Sequence, residues 1–159
     1  MHTQLPGKWP IIFVVLVLMA FKLNAGEPVS QSFLTGVAIG GHDTVAYHKS
    51  GNSEPHRAIT GNKTWKAEWK GADWLFSSKT DRDLFSADPE RYAPAYNGFC
   101  ANALSLGEGL ISTDGSHWQI FGDRLYTFYA ERGRQRWLGG DFAAYKSVAD
   151  KAWKEFTSE

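Results

Sequence analysis

Residues 65–76 carry the clearest structural pattern of the chain, in the order Trp65-Lys66-Ala67-Glu68-Trp69-Lys70-Gly71-Ala72-Asp73-Trp74-Leu75-Phe76. Apolar and charged side chains alternate over its first half, which is the period of a β-strand with one buried face. Residues 71–73 predict a turn, and residues 74–76 return as the partner strand. We therefore predict an antiparallel hairpin whose tryptophans face the helices.

Helices and a second hairpin follow this stretch. Ser78 is a candidate helix cap, with Asp81 placed to reach back as in a capping box. Residues 117–128 predict a hairpin with a two-residue connection at positions 122 and 123. Asp141 caps a last helix with one apolar stripe, formed by Phe142, Tyr145, Val148, Ala149, Ala152, Trp153 and Phe156.

The remaining segments are shorter and less regular. Residues 26–36 are polar and contain glycine, which predicts a flexible lead-in, while residues 37–39 and 44–47 predict short extended pieces. The spacing at 101–106 fits a strand or a helix. No internal repeat is visible in the sequence. The expected class is α+β, a single domain with small antiparallel hairpins and helices packed on one side.

The N-terminus resembles a signal peptide in its arrangement. Lys8 precedes an unbroken apolar run at 11–21, which is short for a membrane span, and Ala25 offers a small residue for cleavage. We expect residues 1–25 to be removed and the mature protein to be periplasmic or secreted, without membrane contact. The alternative is an uncleaved anchor flanked by Lys22.

Charge and motifs exclude several function classes. The chain has 17 basic and 17 acidic residues and no basic run, so nothing predicts nucleic-acid binding. No Ser-His-Asp triad, P-loop or Rossmann glycine pattern is visible, which argues against common hydrolase and nucleotide chemistry. Whether the protein is an enzyme stays open at this point.

Cys100 is the only cysteine of the chain. An exposed free thiol tends to be oxidised or paired with another molecule in an exported protein. Cys100 is therefore either buried and inert or accessible and used. Gly98 allows close backbone approach, and a helix beginning just after Phe99 would make the thiol more reactive.

Four histidines lie beyond residue 25, at positions 42, 48, 56 and 117. Imidazole and thiolate together suit copper or zinc, so Cys100 with His42 or His117 is the candidate metal site. Asp43 could orient His42 as a ligand, or it could simply cap a turn. His48 and His56 are expected to be solvated in a polar loop. The alternative for His117 is that it packs beside Trp118.

Five blocks, taken in order, resemble a YHS domain of the exported single-domain branch: residues 41–47, 69–78, 82–85, 88–92 and 96–101. The resemblance covers most of residues 37–156. It implies redox or metal chemistry at Cys100, because some relatives carry selenocysteine there. The cysteines of YHS domains fused to copper-transporting ATPases are replaced near Ala46 and Ser77, so a metal role does not carry over through them.

Three function classes follow from these observations. The first is a soft-metal module that binds copper or zinc through Cys100, His42 and His117. The second is a thiol redox protein that uses Cys100 without a resolving cysteine in the chain. The third is a non-catalytic binding or structural module, with a small molecule or an unknown protein as its partner.

Overall fold

The computed structural model describes residues 26–158, in which short helices alternate with two hairpins. Each of the two sheets described is an antiparallel pair of neighbouring strands. No helix of this part of the chain is long and apolar enough to cross a membrane. The elements are α1 Thr44–Ser50, β1 Asn62–Trp69, β2 Ala72–Phe76, α2 Lys79–Ala87, α3 Pro89–Tyr92, α4 Ala101–Leu106, β3 His117–Phe121, β4 Arg124–Phe128, α5 Glu131–Gly139 and α6 Phe142–Thr157. The predicted α+β class is confirmed.

The first hairpin joins β1 to β2. Its turn lies at Lys70 and Gly71, which both have positive φ, so it comes slightly earlier than the sequence predicted. The side chains at 65, 67 and 69 are half-buried and those at 66 and 68 are exposed, which confirms the period of two. Trp74 is 1 % exposed and stacks on Phe85 of α2, with ring centroids 5.2 Å apart.

The second hairpin and the predicted helix caps are also present. β3 pairs with β4, with Phe121 opposite Arg124 across the two-residue turn. Ser78 Oγ accepts the Asp81 N–H at 3.1 Å, but the Asp81 carboxylate pairs with Lys49 instead of closing a capping box.

The long helix α6 begins where the sequence placed it. Asp141 Oδ1 accepts the Ala144 N–H at 3.0 Å and so caps its first turn. Most of the predicted stripe packs against the core, but Val148 and Phe156 are about half exposed. The apolar stripe of α6 is therefore narrower than its spacing indicated.

Two of the short extended pieces were predicted wrongly. Residues 44–47 belong to helix α1, because Asp43 Oδ1 accepts the Ala46 N–H at 2.9 Å and starts a helical turn. Residues 37–39 form only isolated bridges and the start of a 3-10 helix at Ile39–Gly41. The open segment 101–106 is helix α4, and α5 was not anticipated.

Two parts of the chain repeat one arrangement of elements, although no repeat is visible in their sequences. Residues 39–87 run through a tight turn, a short capped helix, a hairpin and a helix, namely α1, β1, β2 and α2. Residues 96–139 run through the same order in α4, β3, β4 and α5. We call these the first half and the second half.

Backbone geometry matches between the halves. The turn before α1 has three successive residues with positive φ, at 39, 40 and 41, and the turn before α4 has three at 96, 97 and 98. Asp43 N donates to Ile59 O at 2.7 Å, and Cys100 N donates to Ile111 O at 2.8 Å. Asp43 in the first half therefore corresponds to Cys100 in the second.

Each half has its own apolar cluster. The first is built around Trp74, Phe76 and Phe85, and the second around Tyr126, Phe128 and Trp137, with α6 covering the second. The halves meet where Tyr47 of α1 stacks on Trp118 of β3, with centroids 4.4 Å apart. Burial of these large rings is the main source of stability.

The segment at 26–36 touches both halves. Val29 and Ser30 are buried, and Ser30 Oγ donates to Thr113 O at 3.1 Å. Phe33 and Leu34, a few residues further on, are almost fully exposed.

Candidate functional site

In the first half, the repeated turn and the start of the helix surround the buried carboxylate of Asp43. Asp43 is fully buried, and its carboxylate accepts N–H bonds from Ala46, three residues on, and from Ser77, the residue after β2. Ser77 Oγ donates a further bond at 2.7 Å. Donors from two elements thus converge on one side chain, an arrangement suited to an anionic acceptor. The pKa of Asp43 is nevertheless raised, because burial outweighs these hydrogen bonds.

Cys100 occupies the equivalent position in the second half. Its sulfur accepts the Ala103 N–H at 3.4 Å, three residues on, and the Tyr129 N–H at 3.3 Å, from the residue after β4. The residue caps α4 and is 3 % exposed. A thiol thus stands where the repeat places a carboxylate, with N–H groups directed at it from the same two positions.

The turn before Cys100 is fixed from several sides. Gly98 has φ of +87°, and a Cβ there would lie 2.4 Å from Ile39 Cγ2, so only glycine fits without movement. Its carbonyl accepts the hydroxyls of Thr113 at 2.8 Å and Thr127 at 3.0 Å, both buried. The position of the sulfur is therefore set by packing and hydrogen bonds and not by a loose loop.

A small cavity of about 80 Å³ adjoins Cys100. Its lining residues are Cys100, Asn102, Ala103, Glu108, Ile111, Tyr129, Ala130, Arg132 and Gly133. Gly133 corresponds in the repeat to Asp81, whose buried carboxylate pairs with Lys49 in the first half. The second half lacks that side chain beside its cap, and the cap residue borders open space.

His42 does not approach this cavity. Its Nδ1 lies 2.7 Å from Asp114 O and 3.2 Å from Ile39 O. Both partners are acceptors, so Nδ1 carries the proton and Nε2 keeps its lone pair in the neutral ring. Asp43, the expected orienting partner, instead caps α1 as described above, which decides that alternative in favour of the cap.

His117 also lies apart from the thiol. It opens β3, is about one-third exposed, and places Nδ1 3.4 Å from Glu131 Oε2. No histidine lines the cavity at Cys100. The structure thus does not bring Cys100 together with His42 or His117 in this cavity, and the shared metal site stays a prediction from the sequence.

The other two histidines are packed rather than solvated, which corrects a second expectation. His56 stacks on Trp118 with centroids 4.4 Å apart. His48 lies on α1, edge-to-face with Tyr92. The pKa of His48 is lowered, first by burial and then by the charges of Arg124 and Arg91.

Few potential metal ligands lie around Cys100. Glu108 is the other possible ligand in the cavity wall. Within residues 26–158, no three His, Cys, Asp or Glu side chains are grouped so that they could hold a metal ion. Copper and zinc sites in proteins generally combine several thiolate or imidazole ligands, and these residues do not provide that set.

Comparison with known proteins adds no relative. No family model, curated protein or solved structure matches the chain. The resemblance to YHS domains stays a prediction from the sequence blocks.

Proposed function

We propose that this protein is an exported YHS-like thiol protein in which Cys100 reacts with small oxidants, hydrogen peroxide above all. The observation that carries the proposal is the position of the sulfur. It accepts two backbone N–H groups in a place where the repeat holds a carboxylate, and it borders a small cavity. The two N–H groups hold the sulfur at the edge of the cavity, where an oxidant small enough to enter would meet it.

The reaction needs one peroxide and external thiols. The Cys100 thiolate attacks one peroxide oxygen, the O–O bond breaks, and the departing hydroxide takes a proton to leave as water. Sulfur then carries the other oxygen as sulfenic acid. A thiol of another molecule condenses with the sulfenic acid and releases a second water. A further external thiol reduces that mixed disulfide, because the chain has no second cysteine.

The cavity limits the oxidant by size. A volume of about 80 Å³ has room for a few water-sized molecules. Arg132 and Tyr129 also line the cavity, and Arg132 is the only cationic residue among its lining residues. Hydrogen peroxide fits this space, whereas a bulky aromatic hydroperoxide requires the wall to move.

The test is stopped-flow oxidation of mature protein by hydrogen peroxide and by cumene hydroperoxide, with loss of free thiol as readout. We expect hydrogen peroxide to react at least about tenfold faster, and Arg132→Gln to slow it by a similar factor, since tenfold is about 1.4 kcal/mol. Arg57→Gln, an exposed arginine remote from the cavity lining, is the matched control.

Two outcomes would contradict the proposal. A thiol that reacts with peroxide only in denaturant would make Cys100 an inert core residue. Copper(I) or zinc bound by the wild type and lost in Cys100→Ser, without peroxide reactivity, would restore the metal-binding function expected from the sequence.

A further inference from the structure

A wide polar cleft lies at the junction of the two halves, away from Cys100. Its volume is about 800 Å³. It lies among the end of α1, the start of α3 and the turn between β3 and β4. Its lining residues are His48, Gly51, Asn52, Asp88, Glu90, Arg91, Ile120, Gly122, Asp123 and Arg124. Clefts between two structural units are common ligand sites.

One wall of the cleft is held firmly. The Asn52 side chain donates to Ile120 O at 2.8 Å and accepts the Ile120 N–H at 3.0 Å. The segment after α1 is thereby fixed to β3, and both edges of the cleft keep their separation. The cleft is built into the junction of the halves.

The guanidinium groups of the cleft lack acidic partners. Arg124 donates to the backbone carbonyl of Glu90, and neither Arg124 nor Arg91 forms a salt bridge with any described residue. Guanidinium carries a fork of donors that fits the oxygens of a carboxylate or phosphate. Both arginines therefore have donor capacity that the protein does not use.

The acidic side chains of the cleft are mostly engaged elsewhere. Asp88 Oδ1 accepts the Arg91 N–H at 3.2 Å as the cap of α3, and the Glu90 carboxylate lies 3.3 Å from Lys70 Nζ. Asp123 alone of the three has no such partner among the described residues. The lining therefore carries two guanidinium groups and three carboxylates, so directed donors of the arginines, and not an excess of positive charge, would hold an anion there.

His48 adds a second unsatisfied group. Its Nε2 is buried without a hydrogen-bond partner, and the ring packs edge-on to Tyr92. Burial lowers the pKa of this ring, as do the charges of Arg124 and Arg91, while the charge of Asp123 raises it. An anion bound by the two arginines would act on this ring through its charge.

We propose that this cleft binds a small oxyanion, a carboxylate or a phosphate, through Arg91 and Arg124 with His48 beside them. The inference is independent of the thiol chemistry at Cys100. Two charge-assisted contacts from arginine give such a ligand most of its binding energy.

The test is calorimetric titration of mature protein with inorganic phosphate and, separately, with succinate, at constant ionic strength. Arg91→Gln and Arg124→Gln should each weaken binding at least about tenfold, which corresponds to about 1.4 kcal/mol. Arg57→Gln is the matched control, and Cys100→Ser should bind as the wild type does. Stronger binding of phosphate or of succinate identifies the class of oxyanion.

Nuclear magnetic resonance supplies an independent readout. Bound oxyanion should move the titration of the His48 ring to higher pH in the wild type and not in Arg124→Gln. No binding of either anion would overturn the proposal, and so would an equal loss in Arg57→Gln. Binding that persists unchanged in both arginine variants would place the anion elsewhere and would overturn it as well.

Discussion

The two halves of the molecule share a backbone plan and differ at the residue that caps the first helix of each. In the first half the cap is Asp43, fully buried, and Asp81 beside it pairs with Lys49. In the second half the cap is Cys100, and Gly133 stands at the position of Asp81. One difference places a thiol where the first half has a carboxylate, and the other removes the side chain at the position of Asp81. Asn102 packs against Gly133, where a Cβ would lie 3.0 Å from Asn102 Cβ, and a cavity of about 80 Å³ remains beside Cys100.

Substitutions in the apolar core should have the largest effect on the free energy of unfolding. They also test whether the two halves depend on each other. Trp74→Ala removes a fully buried ring from the first cluster and should lower the free energy of unfolding by about 3–5 kcal/mol. Trp69→Ala should cost less, because its side chain is only partly buried. Urea denaturation measures both. Peroxide reactivity of the folded Trp69→Ala protein should be unchanged, and a lost reactivity would show that the halves are coupled.

Thr127→Val tests the support of the thiol with a smaller change in stability. The hydroxyl of Thr127 donates to Gly98 O, which keeps its bond from Thr113. The free energy of unfolding should fall by about 1 kcal/mol, and Cys100 should oxidise more slowly as its turn loosens. Thr64→Val, at an exposed site on β1, is the control. Equal oxidation rates in the two variants would mean that this hydrogen bond does not position the sulfur.

The pH dependence of the free energy of unfolding should contain a contribution from His48. Its pKa in the folded protein is lowered, mainly by burial, so the unfolded chain takes up the proton first as pH falls. The stability contributed by the neutral ring is present above pH ~6.5 and is lost as pH falls below that value. Urea midpoints at pH 7.5 and 5.5 should differ less in His48→Gln than in the wild type. An identical difference in both proteins would remove His48 as the cause.

Local sequence patterns predicted the two hairpins and the helix caps at 78 and 141 correctly, because these features depend on residues close in sequence. They failed at 44–47, where β-branched Thr44 and Val45 favour a strand but the Asp43 cap imposes a helix. The cavity was beyond sequence reasoning, since the Tyr129 N–H that reaches the Cys100 sulfur is 29 residues away. The repeat could not be recognised from the sequence, because the two halves share backbone contacts but few side chains.

The partners of the candidate histidines also depend on contacts between residues distant in sequence. Residue type alone made His42 and His117 plausible metal ligands, whereas the fold gives each a partner of its own, at Asp114 O and at Glu131. Cys100 was singled out by its uniqueness, and its functional role stays a prediction. The equivalence of Cys100 to Asp43 could be found only from the backbone structure. It shows that N–H groups from the same two positions of each half are directed at the cap side chain.

The central claim is that the second half converts a structural cap into a reactive thiol. The most direct measurement is the intact mass of native mature protein treated with about one equivalent of hydrogen peroxide in the presence of dimedone, which traps sulfenic acid. We predict one adduct on the wild type, located at Cys100, and none on Cys100→Ser. An unmodified native protein whose thiol is labelled only after unfolding in urea would contradict the account.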